Sequence, residues 1–148
     1  MQVVRIYEIP DCKMVSSGAG MFGEEAFDRF DSWLSSLPRG IFPKDFLYME
    51  NGRFYWLYIF EDGMTAPDGF EIIDFKGGLY AVSTGVDGNT DIDAMNAEKE
   101  RFLSEHGFER DYSRPELGNV ITPPDAQKIM GFCQMDYYTP IVPKQTQS

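Results

Sequence analysis

Two aromatic-rich runs separated by Asn51-Gly52 constrain the fold of this chain more than any other feature. Asn-Gly favours a two-residue type I′ turn because both of its residues adopt positive φ, so the runs 46–50 and 53–60 are predicted to pair as antiparallel strands. Both faces of this hairpin carry large apolar side chains, so one face must pack against helices. The two-residue loop sets the register, with Glu50 opposite Arg53, Met49 opposite Phe54, Tyr48 opposite Tyr55 and Leu47 opposite Trp56.

The spacing of apolar residues predicts two helices, over 24–37 and 91–106. In the first segment apolar side chains recur every three to four residues, which is typical of a helix with one buried face, and the second segment has the end signals of a helix. For the second helix, Thr90 is the expected N-cap, Gly107 is the expected left-handed C-terminal residue, and Lys99 is expected on the solvent-facing side. The inward-facing residues are Ala26, Phe27, Phe30, Trp33, Leu34 and Leu37 in the first helix, and Ile92, Met95, Phe102 and Leu103 in the second.

The order of these elements repeats along the chain. A strand, a glycine-rich junction, a helix and two strands occur in the first half and again in the second. This pattern predicts an α+β fold of duplicated β-α-β-β units, in which an antiparallel sheet carries both helices on one face. We expect a single domain over 1–143, with repeats at about 1–62 and 69–143, and a flexible polar tail at 144–148. The other predicted strands are 3–8, 13–17, 70–75, 79–86, 119–122 and 132–142.

Composition and charge narrow the classes of function. The 148 residues include 24 acidic and 13 basic side chains, so the formal net charge is −11 and direct nucleic-acid binding is disfavoured. The longest apolar run, 54–60, is too short to span a membrane, and residues 1–10 contain charges where a signal peptide requires an apolar stretch. The two cysteines, Cys12 and Cys133, are far apart in the sequence. We therefore expect reduced thiols in a cytoplasmic protein with no membrane contact.

Two short motifs resemble ligand sites, but a structural role explains each of them better. Residues 18–23 match the GxGxxG dinucleotide fingerprint, but the following helix leads into a hairpin rather than a second parallel strand, so a strand-to-helix connection is the better interpretation. The acidic segment 87–93 lacks the sixth-position glycine and the twelfth-position glutamate of a calcium loop, and helix capping explains it better. With His106 as the only histidine, no metal, cofactor or catalytic residue is predicted.

A large set of aromatic residues accompanies two carboxylates, Glu116 and Asp136. Aromatic rings attract cations through their faces, and a carboxylate in apolar surroundings is stabilised by a cationic partner. This combination predicts a site for a cationic or flat amphipathic molecule. The alternative is that these rings are ordinary core and half-exposed strand residues. The aromatic residues are Trp33, Tyr48, Tyr55, Trp56, Tyr58, Tyr80, Tyr137 and Tyr138.

Three segments carry a resemblance to a known family. Residues 75–85 read FKGGLYAVSTG, residues 114–117 read RPEL, and residues 136–142 read DYYTPIV. Together they resemble the gyrase-inhibitory-protein-like small-molecule-binding domain, which is the effector-binding domain of multidrug-responsive and AraC-type bacterial transcription regulators. The resemblance covers nearly the whole chain. Because no helix-turn-helix fits before Lys13 or after Pro143, we expect a stand-alone domain.

The resemblance implies a duplicated β-α-β-β fold with an aromatic and acidic site for bulky, often cationic ligands. Glu116 matches the internal glutamate of the family, although Leu117-Gly118 follows it where the family has an apolar residue and a tyrosine. Asp136 is the alternative carboxylate, and Tyr80 and Tyr138 match aromatic positions of the family's strands. The remaining predicted ligand-binding residues are Trp33, Trp56, Tyr55 and Tyr48.

Three functions are compatible with these observations. The first is non-enzymatic binding of a hydrophobic, cationic aromatic xenobiotic or effector. The second is hydrolysis of an electrophilic small molecule, in which Glu116 would act as a general base beside a tyrosine. The third is a protein-interaction module that inhibits a DNA-handling enzyme, whose nucleic-acid partner the acidic surface would imitate.

Overall fold

The computed structural model describes residues 3–38 and 40–145. The α+β prediction is confirmed, because these residues form strands that pair in antiparallel directions and three helices connect the strands. No helix in the described ranges is long and apolar enough to cross a membrane. The elements are β1 (Arg5–Ile9), β2 (Cys12–Gly20), α1 (Glu25–Ser36), β3 (Asp45–Glu50), β4 (Arg53–Ile59), β5 (Glu71–Phe75), β6 (Gly78–Val86), α2 (Ile92–His106), β7 (Phe108–Arg110), β8 (Leu117–Val120), α3 (Pro124–Met130) and β9 (Gln134–Pro143).

The chain divides into two compact units. We call Asp11–Lys76 the hairpin unit, and Met1–Pro10 with Gly77–Ser148 the terminal unit. The strand β1 belongs to the terminal unit because it pairs with β6, although it precedes the whole hairpin unit in the sequence. Of the predicted tail, residues 146–148 lie outside the described residues, while the Lys144 N–H donates a hydrogen bond to the Gly107 carbonyl.

In the hairpin unit the strands follow the order β3-β4-β2-β5. The predicted type I′ turn is confirmed, since Asn51 and Gly52 both have positive φ, 54° and 77°. The register is the predicted one, from Glu50 opposite Arg53 to Leu47 opposite Trp56. The helix α1 buries Phe27 and Phe30, whose rings contact Trp56 at centroid distances of 5.7 and 5.4 Å. An aromatic cluster therefore forms the core between α1 and this sheet.

In the terminal unit the strands follow the order β1-β6-β9-β8, and β7 also pairs with β9. The helix α2 contacts β6 and β7, and its Leu103 packs with Ala81 and Ile141. Side chains alternate along a strand, so Ala81 and its neighbours two residues away face α2. The residues between them, such as Tyr80 and Val82, face away from α2.

Three local expectations differ from the structure. Asp91 rather than Thr90 caps α2, because its side chain accepts the Ala94 N–H while the Thr90 hydroxyl is held by Val86. The strand β2 continues through the glycine-rich junction to Gly20, with a shift in register between Ser16 and Ala19 that is typical of a β-bulge. The short helix α3 lies in a segment predicted as a connection, where two consecutive prolines fix the backbone at its start.

Lys99, predicted on the solvent-facing side of α2, is buried with 2% of its surface exposed. Its ammonium donates hydrogen bonds of 3.1 Å to the Tyr137 carbonyl and to the Thr139 hydroxyl. Both acceptors are uncharged, so they offset only part of the cost of burying a cation. Burial, helped by the nearby charge of Arg110, lowers the pKa of Lys99 from 10.5 to about 8.

The lowered pKa of Lys99 predicts a pH dependence of stability. Between pH 8 and 10.5 the unfolded chain keeps the lysine proton that the folded chain releases, so the free energy of unfolding rises with pH in this window. Across this pH window the free energy of unfolding of the wild-type protein should rise by about 2–3 kcal/mol relative to that of Lys99→Met. Urea denaturation of both proteins from pH 7 to 10.5 measures this difference. Parallel curves would contradict the assignment, and Lys128→Met, at an exposed lysine, is the control.

Candidate functional site

The face of the terminal sheet that points away from α2 carries a group of polar and aromatic side chains from β1, β6 and β9. Cross-strand pairing places them together, because opposed residues of antiparallel strands point to the same side. Tyr7 is opposite Tyr80, Val82 is opposite Tyr138, and Thr84 is opposite Asp136. We call the resulting group the Asp136 cluster; its members are Arg5, Tyr7, Tyr80, Thr84, Asp136 and Tyr138.

Asp136 is the buried charge of this cluster, with 5% of its surface exposed. One carboxylate oxygen, Oδ1, accepts a 2.6 Å hydrogen bond from Arg5 Nη2 and another of 2.6 Å from the Thr84 hydroxyl. A buried carboxylate requires such partners because removing it from water costs several kcal/mol. Asp136 thus presents a desolvated negative charge whose neutralisation depends on a cation.

Arg5 supplies that cation and makes two further contacts. Its guanidinium donates 2.7 Å hydrogen bonds to Thr84 Oγ1 and to the Tyr7 hydroxyl, and its central carbon lies 5.1 Å from the centroid of the Tyr7 ring. The side chain of Arg5 is 32% exposed, whereas that of Asp136 is 7% exposed. Solvent therefore reaches the cationic half of the ion pair more than the anionic half.

Tyrosine rings line the cluster around this ion pair. Tyr138 makes edge-on contacts with Tyr7 and Tyr80, at centroid distances of 6.3 and 6.0 Å. Burial, and then the charge of Asp136, raise the pKa of Tyr138 from 10.0 to about 12, against a smaller opposing effect of a hydrogen bond with Asn119. The phenol of Tyr138 is therefore neutral at physiological pH and can contact an apolar ligand as well as a cation.

Arg114 supports Tyr80 from within the terminal unit. Its guanidinium carbon lies 4.8 Å from the Tyr80 ring centroid, and Nη2 donates hydrogen bonds to the carbonyls of Leu79 and Ile141. The side chain is almost fully buried, and Asp111 accepts a 2.8 Å hydrogen bond from Nε. These contacts fix the Tyr80 ring, so Arg114 of the RPEL segment acts on the cluster as a positioning residue.

Glu116, the other predicted carboxylate, is not part of the Asp136 cluster. Its side chain is 55% exposed and forms an ion pair with Arg110, which also pairs with Glu100 of α2 at 3.5 Å. Because Glu116 precedes Leu117, which is opposite Tyr138, strand alternation directs Glu116 to the side of the sheet that carries α2. A ligand-binding role for Glu116 stays a prediction, and the structure places it on a different surface from Asp136.

The other four predicted residues lie in the hairpin unit, on its two faces. Trp33 lies on α1 and Trp56 lies on the strand face that meets α1; both rings contact Phe30 at a centroid distance of 5.4 Å, and Trp56 Nε1 donates a 2.9 Å hydrogen bond to Asp45. Tyr48 and Tyr55 occupy the opposite face and stack with their rings 5° from parallel at 4.8 Å. The two tryptophans thus contribute to the core of this unit, while the two tyrosines form a flat aromatic surface.

Three members of the cluster, Arg5, Tyr7 and Thr84, were not predicted from the sequence. All three lie on predicted strands, and the alternation of β1 does place Arg5 and Tyr7 on one face. What the sequence did not reveal is that β1 pairs with β6, which brings Arg5 to Asp136 across 131 positions. An arginine and a tyrosine at alternate positions of a short strand was the one available signal.

Comparison with known proteins shows a shared fold. The EcmrR C-terminal domain is similar with a TM-score of 0.61 at 8% identity, covering 97% of this chain and 99% of that chain. A hydrolase from Listeria innocua is similar with a TM-score of 0.68 at 10% identity, and the match covers 94% of this chain and 91% of the hydrolase chain. The structure of SAV2435 bound to tetraphenylphosphonium is similar with a TM-score of 0.52 at 9% identity, and the match covers 95% of this chain and 94% of the SAV2435 chain. No family model and no curated protein matches the sequence.

The raised pKa of Tyr138 predicts that its phenol ionises well above the usual range of a tyrosine. In carbon NMR of tyrosine-labelled protein, one ring should titrate near pH 12, and Tyr138→Phe should remove that transition. Asp136→Asn should move it to lower pH, because the neighbouring negative charge opposes ionisation of the phenol. Tyr112→Phe, at an exposed tyrosine, should leave it in place. A Tyr138 signal that titrates near pH 10 would show that the ring is not desolvated.

Proposed function

We propose that this protein binds hydrophobic small molecules that carry a positive charge on an aromatic body, and that the Asp136 cluster is the binding site. The observation that carries the proposal is the buried Asp136 carboxylate, which shares the sheet face that points away from α2 with Tyr7, Tyr80 and Tyr138. Binding without chemistry is the function that this arrangement supports best.

The physical basis of the proposal is charge selection by a desolvated carboxylate. In surroundings of low polarity the attraction between Asp136 and a cation is much stronger than in water, so the site discriminates charge more strongly than shape. The tyrosine rings add attraction to a cation through their faces and to an aromatic body through ring contacts. A neutral ligand of the same shape receives only the second contribution.

Two comparisons support this proposal. The sequence resembles small-molecule-binding effector domains in the segments that contain Tyr80, Asp136 and Tyr138. The fold is shared with SAV2435, whose structure contains bound tetraphenylphosphonium, a cation with four aromatic rings. Both point to the same class of ligand, and the Asp136 cluster supplies the charge and the rings that this class requires.

Hydrolysis is the weaker proposal for this chain, although a hydrolase from Listeria innocua shares the fold. The hydrolytic hypothesis assigned a general base to Glu116, which requires apolar surroundings that raise its affinity for a proton. Glu116 is instead exposed and paired with Arg110. Asp136 is buried but is already held in an ion pair by Arg5, an arrangement that suits recognition of a cation.

The test of the proposal compares two isosteric changes, Asp136→Asn and Glu116→Gln. Isothermal titration calorimetry with tetraphenylphosphonium should show a loss of about 2 kcal/mol, or about thirtyfold, for Asp136→Asn, as expected when one partner of a buried charge pair is removed. Glu116→Gln removes the same charge from an exposed position and should leave the affinity unchanged. The neutral triphenylphosphine oxide should bind both variants and the wild-type protein alike.

Each outcome of this experiment is informative. A loss of affinity for tetraphenylphosphonium in Glu116→Gln alone would assign the binding site to Glu116, as the sequence resemblance predicts. Equal losses for the cation and the neutral compound would show that Asp136 maintains the structure rather than selecting charge. If neither substitution separates the cation from the neutral compound, the acidic-site proposal fails, and the tyrosines are core residues.

A further inference from the structure

Arg5 occupies the position that a cationic ligand would take in the Asp136 cluster. Its guanidinium bonds Asp136 Oδ1 at 2.6 Å and both Thr84 Oγ1 and the Tyr7 hydroxyl at 2.7 Å, and it lies against the Tyr7 ring. Three oxygen acceptors and one aromatic face thus surround one planar cation. The cluster is therefore complementary to a guanidinium group in charge, in hydrogen-bond acceptors and in shape.

We infer that the Asp136 cluster is a guanidinium subsite that Arg5 fills in the free protein, and that the preferred ligands are aromatic molecules with a guanidinium or amidinium group, which displaces Arg5. This inference rests on the proposed function and specifies its ligand class.

The contacts of Arg5 explain why a planar cation with N–H groups is favoured over other cations. When Arg5 leaves, Asp136 loses a charge-assisted hydrogen bond, and the oxygens of Thr84 and Tyr7 each lose a donor. An arylguanidine or arylamidine replaces these donors in one plane. A quaternary ammonium or phosphonium ion supplies the charge but has no N–H, so it leaves the oxygens without the donors that Arg5 gave them.

The position of Arg5 also explains how it can be displaced. In the described part of the chain, β1 pairs with β6 only and forms an edge of the terminal sheet. The Arg5 side chain is about one-third exposed and Tyr7 is 39% exposed, so the guanidinium can rotate into solvent without breaking a backbone hydrogen bond. Asp136 remains buried in the sheet and keeps its bond to Thr84.

Displacement of Arg5 lowers the apparent affinity of the wild-type protein. A ligand binds only the fraction of molecules in which the subsite is open, so removing the internal occupant should raise the affinity by the inverse of that fraction. Only ligands that occupy the subsite should show this increase in affinity. The size of the increase depends on how well the ligand replaces the contacts of Arg5.

The experiment uses Arg5→Ala in the full chain and three phenyl compounds in calorimetric titrations. Phenylguanidine should bind Arg5→Ala about tenfold or more tighter than the wild-type protein. Phenyltrimethylammonium has the charge without N–H groups, so its affinity should increase less in Arg5→Ala. The affinity of the neutral phenylurea should be the same for both proteins. Arg53→Ala removes an arginine that is likewise ion-paired, with Glu24 in the hairpin unit, and should change none of these affinities.

A second set of variants protects the test against a folding defect. If circular dichroism shows that Arg5→Ala is unfolded, Arg5→Lys replaces it, because a lysine keeps the charge but cannot bond the three oxygens in one plane. Phenylguanidine should then bind Arg5→Lys several-fold more tightly than the wild-type protein. Adding Asp136→Asn to either variant should abolish the gain, since the carboxylate is the centre of the subsite.

The outcomes separate this inference from the proposed function. Phenylguanidine binding that is unchanged or weaker in the Arg5 variants, or a gain that survives Asp136→Asn, overturns the guanidinium subsite. The proposed function stands in that case if tetraphenylphosphonium still loses affinity in Asp136→Asn alone. If cation binding is insensitive to Asp136 in the wild-type protein and in the Arg5 variants, both fail.

Discussion

The ion pair between Arg5 and Asp136 is the interaction on which the candidate site depends. It joins the first and last strands of the described chain through β6, and it compensates the buried carboxylate, which would otherwise be strongly destabilising. Thr84 bonds both partners, and Tyr7 bonds the guanidinium, so the positions of these side chains follow from the requirement to satisfy one buried charge. A ligand that enters must meet the same requirement.

The two faces of the terminal sheet accommodate buried charge in different ways. Towards α2, Lys99 has a backbone carbonyl and the Thr139 hydroxyl as acceptors, and its lowered pKa reflects that incomplete compensation. On the other face, Asp136 has a cation as partner, and that cation belongs to a partly exposed side chain. Only the second arrangement offers a charge that can be exchanged, because the lysine is enclosed by the helix and the sheet.

The sequence predicted those elements whose cause is local. The Asn51-Gly52 turn, its register and the inward face of α1 follow from backbone geometry and periodicity, and the structure confirms them. The cluster follows from the pairing of β1 with β6, which no local rule specifies, so the sequence did not predict Arg5 as a member, whereas it predicted Asp136 and Tyr138 as ligand-binding residues from their segment. Lys99 was misassigned because charge pattern predicts exposure, whereas its position on the helix predicts burial.

The terminal unit consists of two segments that are far apart in the sequence, and this affects the order in which the chain folds. During synthesis β1 is made first, the hairpin unit next, and the strands that pair with β1 and Asp136 last, since 131 positions separate Arg5 from Asp136. The contacts of the hairpin turn are short in sequence and form early, whereas this long closure is entropically the most costly. The Asp136 cluster is therefore completed only when nearly the whole chain has been made. A nascent or C-terminally truncated chain would lack Asp136 and the strand that carries it, and therefore the cluster.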